Sequence, residues 1–167
     1  MFEAETLTLA QAVLETCRAR NWRLATAESC TGGLVAGALT AIAGSSDVVE
    51  RGFVTYSNEA KSELLGVPPE IITAHGAVSA ETASAMAQGT IARAPVDLAI
   101  SVAGVAGPGG ATATKPVGLV LFEIARSTGA RAMAPCAIAA AVSALTAPCA
   151  VMISGGTPSN SDFASFE

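Results

Sequence analysis

Apolar positions Ala10, Val13, Leu14 and Cys17 recur three and four residues apart, with Glu15, Arg18 and Arg20 between or after them, and this spacing predicts an amphipathic helix over residues 6–20. A short strand is expected at 23–27, followed by a helix carrying Leu34, Val35, Ala38, Leu39 and Ile42 and ending at Gly44. A second short strand is read at 53–56. The next helix, 58–65, is stopped by Gly66 and the Pro68-Pro69 pair. Ser79 is placed to cap a helix over 80–93, with Glu81 favourably set in its first turn. Residues 96–105 and 118–125 are rich in Val, Ile and Leu and read as strands on either side of a Gly/Pro-rich loop. Strands alternating with helices, some of them apolar on both faces, predict an α/β single-domain sandwich with a central, mostly buried sheet flanked by helices. The pattern leaves the strand order open.

Composition narrows this picture. A chain of 167 residues, 51% hydrophobic, can bury one sizeable core. The expected arrangement is one domain over 1–153 and a loosely ordered tail over 154–167, where Ser, Gly, Pro and Asn accumulate. A net charge of -5 with only 9 Lys and Arg offers no footprint for nucleic acid. The acidic start, Met1-Phe2-Glu3-Ala4-Glu5, does not read as a secretory signal, so a cytoplasmic location is expected. No charge occurs from Ala132 to Ser154, but that run is mostly alanine and is interrupted by Pro135, Ser143, Thr146 and Pro148, which argues against a membrane span. The 4 cysteines form no Cys-x-x-Cys pair and His75 is the only histidine, so reduced thiols and no metal site are expected.

Two segments carry candidate chemistry. A strand that breaks into Ser29-Cys30-Thr31-Gly32-Gly33 and enters a helix would present backbone N–H groups to an anion, with Ser29 and Thr31 adding hydroxyls. An ordinary helix cap, with glycines needed for packing, fits the same residues. In the second segment Lys61 falls in the first turn of a helix, where the dipole disfavours its charge and burial would do so further. A lysine in that position can act as a general base for a serine, and Ser46 is the expected partner, with Tyr56 able to hydrogen-bond either. A solvated helix-end lysine remains open. A rival pair is Cys30, its thiol at a helix start, with His75 as base. The loop from Val105 to Gly110 is a further place for a ligand to meet backbone amides.

Thr26-Ala27-Glu28-Ser29-Cys30-Thr31-Gly32-Gly33, Ile42-Ala43-Gly44-Ser45-Ser46 and the run from Arg51 to Lys61 closely resemble the C-terminal domain of the CinA (competence/damage-inducible) family. His75-Gly76-Ala77-Val78-Ser79, the run from Gly104 to Gly110 and Lys115-Pro116-Val117-Gly118 continue the likeness, which covers about residues 5–128. The resemblance implies a nicotinamide-nucleotide amidase: nicotinamide mononucleotide and water give nicotinate mononucleotide and ammonia, with no cofactor. It places the catalytic roles on Ser46, Lys61 and Tyr56, and substrate binding on Ser29, Thr31, Gly32, Gly33, Gly104 and Gly107. Its expected partners are a small-molecule nucleotide and further copies of the chain, with neither nucleic acid nor membrane. The alternative is a non-catalytic regulatory or protein-binding module linked to competence or DNA damage. Two departures stand out: Ala103 occupies a position where the family usually carries Thr or Ser, and beyond about Thr128 the expected Gly-Asp-Arg and charged helix give way to alanine-rich sequence.

Overall fold

The computed structural model describes residues 2–127, so the expected domain end near 153, the uncharged run from Ala132 and the tail lie outside the described residues. The elements in chain order are α1 (Ala4–Arg18), β1 (Leu24–Glu28), α2 (Leu34–Thr40), a single 3-10 turn (Ser45–Asp47), β2 (Val49–Val54), α3 (Asn58–Leu65), α4 (Pro69–His75), α5 (Ala80–Arg93), β3 (Leu98–Gly104) and β4 (Val120–Arg126). The four strands form one sheet in the order β2-β1-β3-β4, parallel across β2, β1 and β3 and antiparallel between β3 and β4. Helices cover both faces. This is the α/β sandwich that the alternation predicted. No helix among the described residues is long and apolar enough to cross a membrane.

The central strands explain the apolar runs. Every residue of β1 is buried, as is all of β3 before Gly104. On one face Leu24, Leu98, Ile100 and Val102 pack against Val13, Leu14 and Cys17 of α1 and Val35, Ala38 and Leu39 of α2. The opposite face is built from small side chains, Ala25, Ala27, Ala99, Ser101 and Ala103, and α5 lies on it. Ser101 satisfies its buried hydroxyl by donating to the Ala83 carbonyl of α5 at 2.7 Å. Ser79 caps α5 as expected, accepting from the Thr82 N–H at 3.1 Å.

Three elements differ from their sequence expectation. The strand expected at 53–56 instead ends at Val54, because Glu50, Arg51 and Gly52 hide an edge strand whose two charged side chains pair with each other. The helix expected to reach Gly44 stops at Thr40, and Gly44 instead enters the 3-10 turn, its carbonyl accepting from Arg18 at 3.0 Å. The proline pair read as a stop also begins α4: Pro69 sits in its first turn, where a missing N–H costs nothing.

Because the three parallel strands point the same way, the loops leaving Glu28, Val54 and Gly104 gather at one end of the sheet. The chain leaves β1 toward β2 and leaves β3 toward β4, so the connections diverge between β1 and β3. A divergence of this kind opens a crevice beyond the strand ends.

On the small-residue face α3 and α5 approach closely, for a β-carbon on Gly89 would come within 2.1 Å of the Leu65 carbonyl oxygen. Gly89→Ala is expected to destabilise the fold by about 3 kcal/mol, the upper end of usual overpacking costs, because a backbone atom cannot step aside. Urea or thermal unfolding checks this; unchanged stability would show that α3 and α5 can separate freely.

Candidate active site

Glu28, the last residue of β1, is fully buried and organises the turn that follows it. Its carboxylate accepts the N–H groups of Gly33 at 3.0 Å, Val35 at 3.0 Å and Ala36 at 2.9 Å, and the Thr26 hydroxyl at 3.2 Å. The open amides at the start of α2 are therefore filled from within the chain, and the negative charge sits where the helix dipole favours it. Gly32 and Gly33, at φ of 60° and 101°, make the left-handed bend that brings those amides back over Glu28. Ser29 leaves the strand on the face opposite Glu28, the side covered by α3 and α5.

Lys61 approaches Ser29 from α3. Ser57 caps that helix, accepting from the Ala60 N–H at 3.0 Å, which puts Lys61 at the end of the first turn. Helical side chains lean toward the N-terminus, so the Lys61 stem folds back under the segment joining β2 to α3. Its Nζ lies 3.0 Å from Ser29 Oγ, 2.9 Å from the Thr55 carbonyl, 3.1 Å from that of Tyr56 and 3.4 Å from that of Ser57. Only 1% of the residue is exposed. Burial pushes the Lys61 ammonium below the ordinary lysine value, against smaller opposing pulls from Cys30 and Glu59. The arrangement can hold a neutral amine that donates to the carbonyls of Thr55 and Tyr56 and turns its lone pair to the Ser29 hydroxyl.

The sequence profile of the CinA C-terminal domain family matches residues 6–155. The chain belongs to the CinA C-terminal domain family. It is 48% identical over 129 residues to the nicotinamide-nucleotide amidohydrolase PncC of Escherichia coli K12, covering 77% of this chain and 78% of that protein. It is 49% identical over 136 residues to a CinA-like protein of Chloroherpeton thalassium, covering 80% of this chain but 32% of the relative. This chain spans only 26% to 32% of the length of several such long relatives. Among solved structures, the competence/damage inducible protein CihA from Agrobacterium tumefaciens superposes with a TM-score of 0.77 at 42% identity, covering 91% of this chain and 95% of that one.

Within this CinA domain the expected site residues separate into two groups. Ser29, Thr31, Lys61, Gly104 and Gly107 lie at or just beyond the C-terminal ends of the parallel strands. Ser46 does not: it is exposed in the 3-10 turn before β2, whereas Lys61 follows β2, and a strand of six residues spans roughly 17 Å. The expected contact between Ser46 and Lys61 is not made; Lys61 Nζ meets Ser29 Oγ instead. The neighbouring Asp47 is tied to Arg18 of α1 at 2.6 Å, which gives the Ser45-Ser46 motif a structural task. Tyr56 serves Lys61 through its carbonyl, while the residue as a whole is 70% exposed. The expected anion pocket at the start of α2 is also corrected, because Glu28 already holds the N–H of Gly33.

Gly104 is a packing position: a β-carbon there would meet the Leu119 carbonyl at 2.6 Å and the Cys30 sulfur at 2.8 Å. Ala103 is fully buried beside Ala27, Leu65 and Met86, so a hydroxyl at this position would face the core under α5 rather than open crevice. The rival pair is not assembled as expected, since the His75 ring turns to Glu81 at 3.6 Å. Thr31 is 2% exposed and its hydroxyl has no partner among the described residues. No group of three or more His, Cys, Asp or Glu among the described residues is placed to hold a metal ion.

Sequence reasoning missed Glu28, although an acidic residue five positions before Gly33 and seven before Val35, at a strand-to-helix junction, is a legible signal for a cap reaching over the turn. Glu28→Ala leaves buried amides at the start of α2 unsatisfied and is expected to cost about 3 kcal/mol or more. Glu28→Gln, which turns an N–H toward other N–H donors, is expected to recover only part of this. Chemical denaturation of both variants is the measurement; wild-type stability in Glu28→Ala would mean that the turn is held by other contacts.

Proposed function

We propose that this chain hydrolyses the carboxamide of nicotinamide mononucleotide, with Ser29 as nucleophile and Lys61 as its base. The observation that carries the reading is the 3.0 Å contact between Lys61 Nζ and Ser29 Oγ in a buried, carbonyl-lined setting. The relative PncC, named for nicotinamide-nucleotide amidohydrolysis, supports the substrate.

In this reading neutral Lys61 takes the Ser29 proton as Oγ attacks the amide carbon. The tetrahedral intermediate collapses when the ammonium of Lys61 returns that proton to the leaving nitrogen, releasing ammonia and leaving an ester on Ser29. Water then attacks the ester with Lys61 again as base, and nicotinate mononucleotide departs. The unpartnered hydroxyl of Thr31, two residues along the same turn, is the proposed donor to substrate in this step. Ser46 takes no part.

Ammonia release from nicotinamide mononucleotide tests the assignment. Ser29→Ala and Lys61→Ala are each expected to lose activity by roughly 100- to 10,000-fold, and Lys61→Arg to stay inactive because a guanidinium remains protonated. Ser46→Ala is expected to keep wild-type turnover. Loss in Ser46→Ala with retention in Ser29→Ala would reverse the assignment, and loss in Cys30→Ala with retention in Ser29→Ala would transfer it to the thiol.

The pH dependence follows from the same burial. The active base is the neutral amine, whose fraction grows with pH, so kcat/KM should rise through the depressed value of Lys61 and level off above it. The midpoint is expected below the ordinary lysine value of 10.5. A rate that falls over this rising limb would exclude a neutral lysine as base.

A further inference from the structure

With the amides at the start of α2 engaged by Glu28, the charged end of a nucleotide needs another anchor. Most cations among the described residues are committed elsewhere. Arg18 binds Asp47, Arg51 binds Glu50, and Arg20 and Arg126 flank the Trp22 ring at 5.5 and 4.2 Å. Arg93, at the end of α5, reaches back to the Glu63 and Leu64 carbonyls, and Arg23 stands just before β1, at the opposite end of the sheet from Ser29. Lys61 is sequestered beneath Ser29. Lys115 is left.

Lys115 lies on the long connection from β3 to β4, three residues before Gly118, whose N–H returns to the Val105 carbonyl at the end of β3. From there its side chain crosses to α4 and donates to the His75 carbonyl at 2.8 Å. Gly76, at φ of 83°, leaves room for this: a β-carbon there would stand 3.2 Å from the Lys115 ammonium. Val105 follows β3 as Ser29 follows β1, and these strands are parallel neighbours, so the connection that bears Lys115 leaves the end of the sheet that carries Ser29. Ile72 of α4 packs with Ala27 and Ala103, Ser29 lies two residues beyond Ala27 along the chain, and Gly76 lies one helical turn beyond Ile72. An ammonium carries three donors, and one is used on His75. Two remain for a ligand.

We infer that Lys115 anchors the phosphate of the nucleotide at the rim of the crevice, held ready by the His75 carbonyl and the open space at Gly76. The inference rests on the amidase reading for the identity of the substrate. It assigns recognition of the phosphate to the β3–β4 connection and leaves the Ser29 turn to the amide. Glu81, the nearby carboxylate on α5, faces the His75 ring.

The test compares binding of nicotinamide mononucleotide with that of nicotinamide riboside, which lacks only the phosphate, by calorimetric titration of the full chain. Wild type is expected to prefer the mononucleotide, and Lys115→Met to lose that preference by on the order of 10- to 100-fold, the usual weight of a charge-assisted contact. Lys115→Arg, which keeps the charge, is expected to retain much of it and guards against misfolding of the methionine variant. A preference unchanged in Lys115→Met, equal weakening of both ligands in both variants, or no preference in wild type would overturn the inference. The amidase reading is judged separately by ammonia release: a lost preference without ammonia from wild type sinks the amidase and leaves the Lys115 anchor standing, whereas normal ammonia release with an unchanged preference sinks only the anchor.

Discussion

The carboxylate of Glu28 joins the fold to its chemistry. It ends the central strand, is shut away from water, and is matched by three backbone amides of the next helix and one hydroxyl. A buried charge without such partners would be prohibitive; with them it fixes where α2 starts and therefore the path of Ser29 through Gly33. Alternation along β1 then does the rest. Glu28 points toward α2, so Ser29 emerges on the other face, where α3 delivers Lys61.

Lys61 depends on this frame in turn. An amine enclosed by carbonyl oxygens experiences two opposed effects: loss of water disfavours its charge, and the carbonyls offset part of that cost. Burial outweighs the opposing pulls of Cys30 and Glu59 and lowers the Lys61 value. The Thr55 and Tyr56 carbonyls also fix the position of Nζ, because both accept from it while Ser29 Oγ lies 3.0 Å away. Tyr56 therefore contributes as a backbone position, and its exposed ring is a separate matter.

Much of the fold was legible because it follows from local rules. The helix over 58–65 was bounded by Gly66, α5 was announced by Ser79, and the apolar run read at 96–105 proved to be the buried strand β3, whereas the one read at 118–125 became the half-buried edge strand β4. What escaped was decided across the chain. β2 hides behind Glu50, Arg51 and Gly52 because an edge strand needs no unbroken apolar run, and α4 begins at a proline that also ends the preceding segment. The site was half legible. Lys61 could be suspected from its place in a helix's first turn, but its partner could not be found by counting residues, since Ser46 and Ser29 are both serines in recognisable motifs. Only the parallel pairing of β1 with β2 shows that Ser29 and Lys61 share one end of the sheet while Ser46 sits at the other.

The ring of carbonyls around Lys61 has a further consequence once the proposed attack begins. At that moment the amine becomes a cation, and three main-chain oxygens are already in place to solvate it. The proton is kept on the lysine and shielded from bulk water between its capture and its return. Seen in this way, the segment from Thr55 to Ser57 is a short-term proton store built from peptide groups, with the Ser57 side chain left to cap α3.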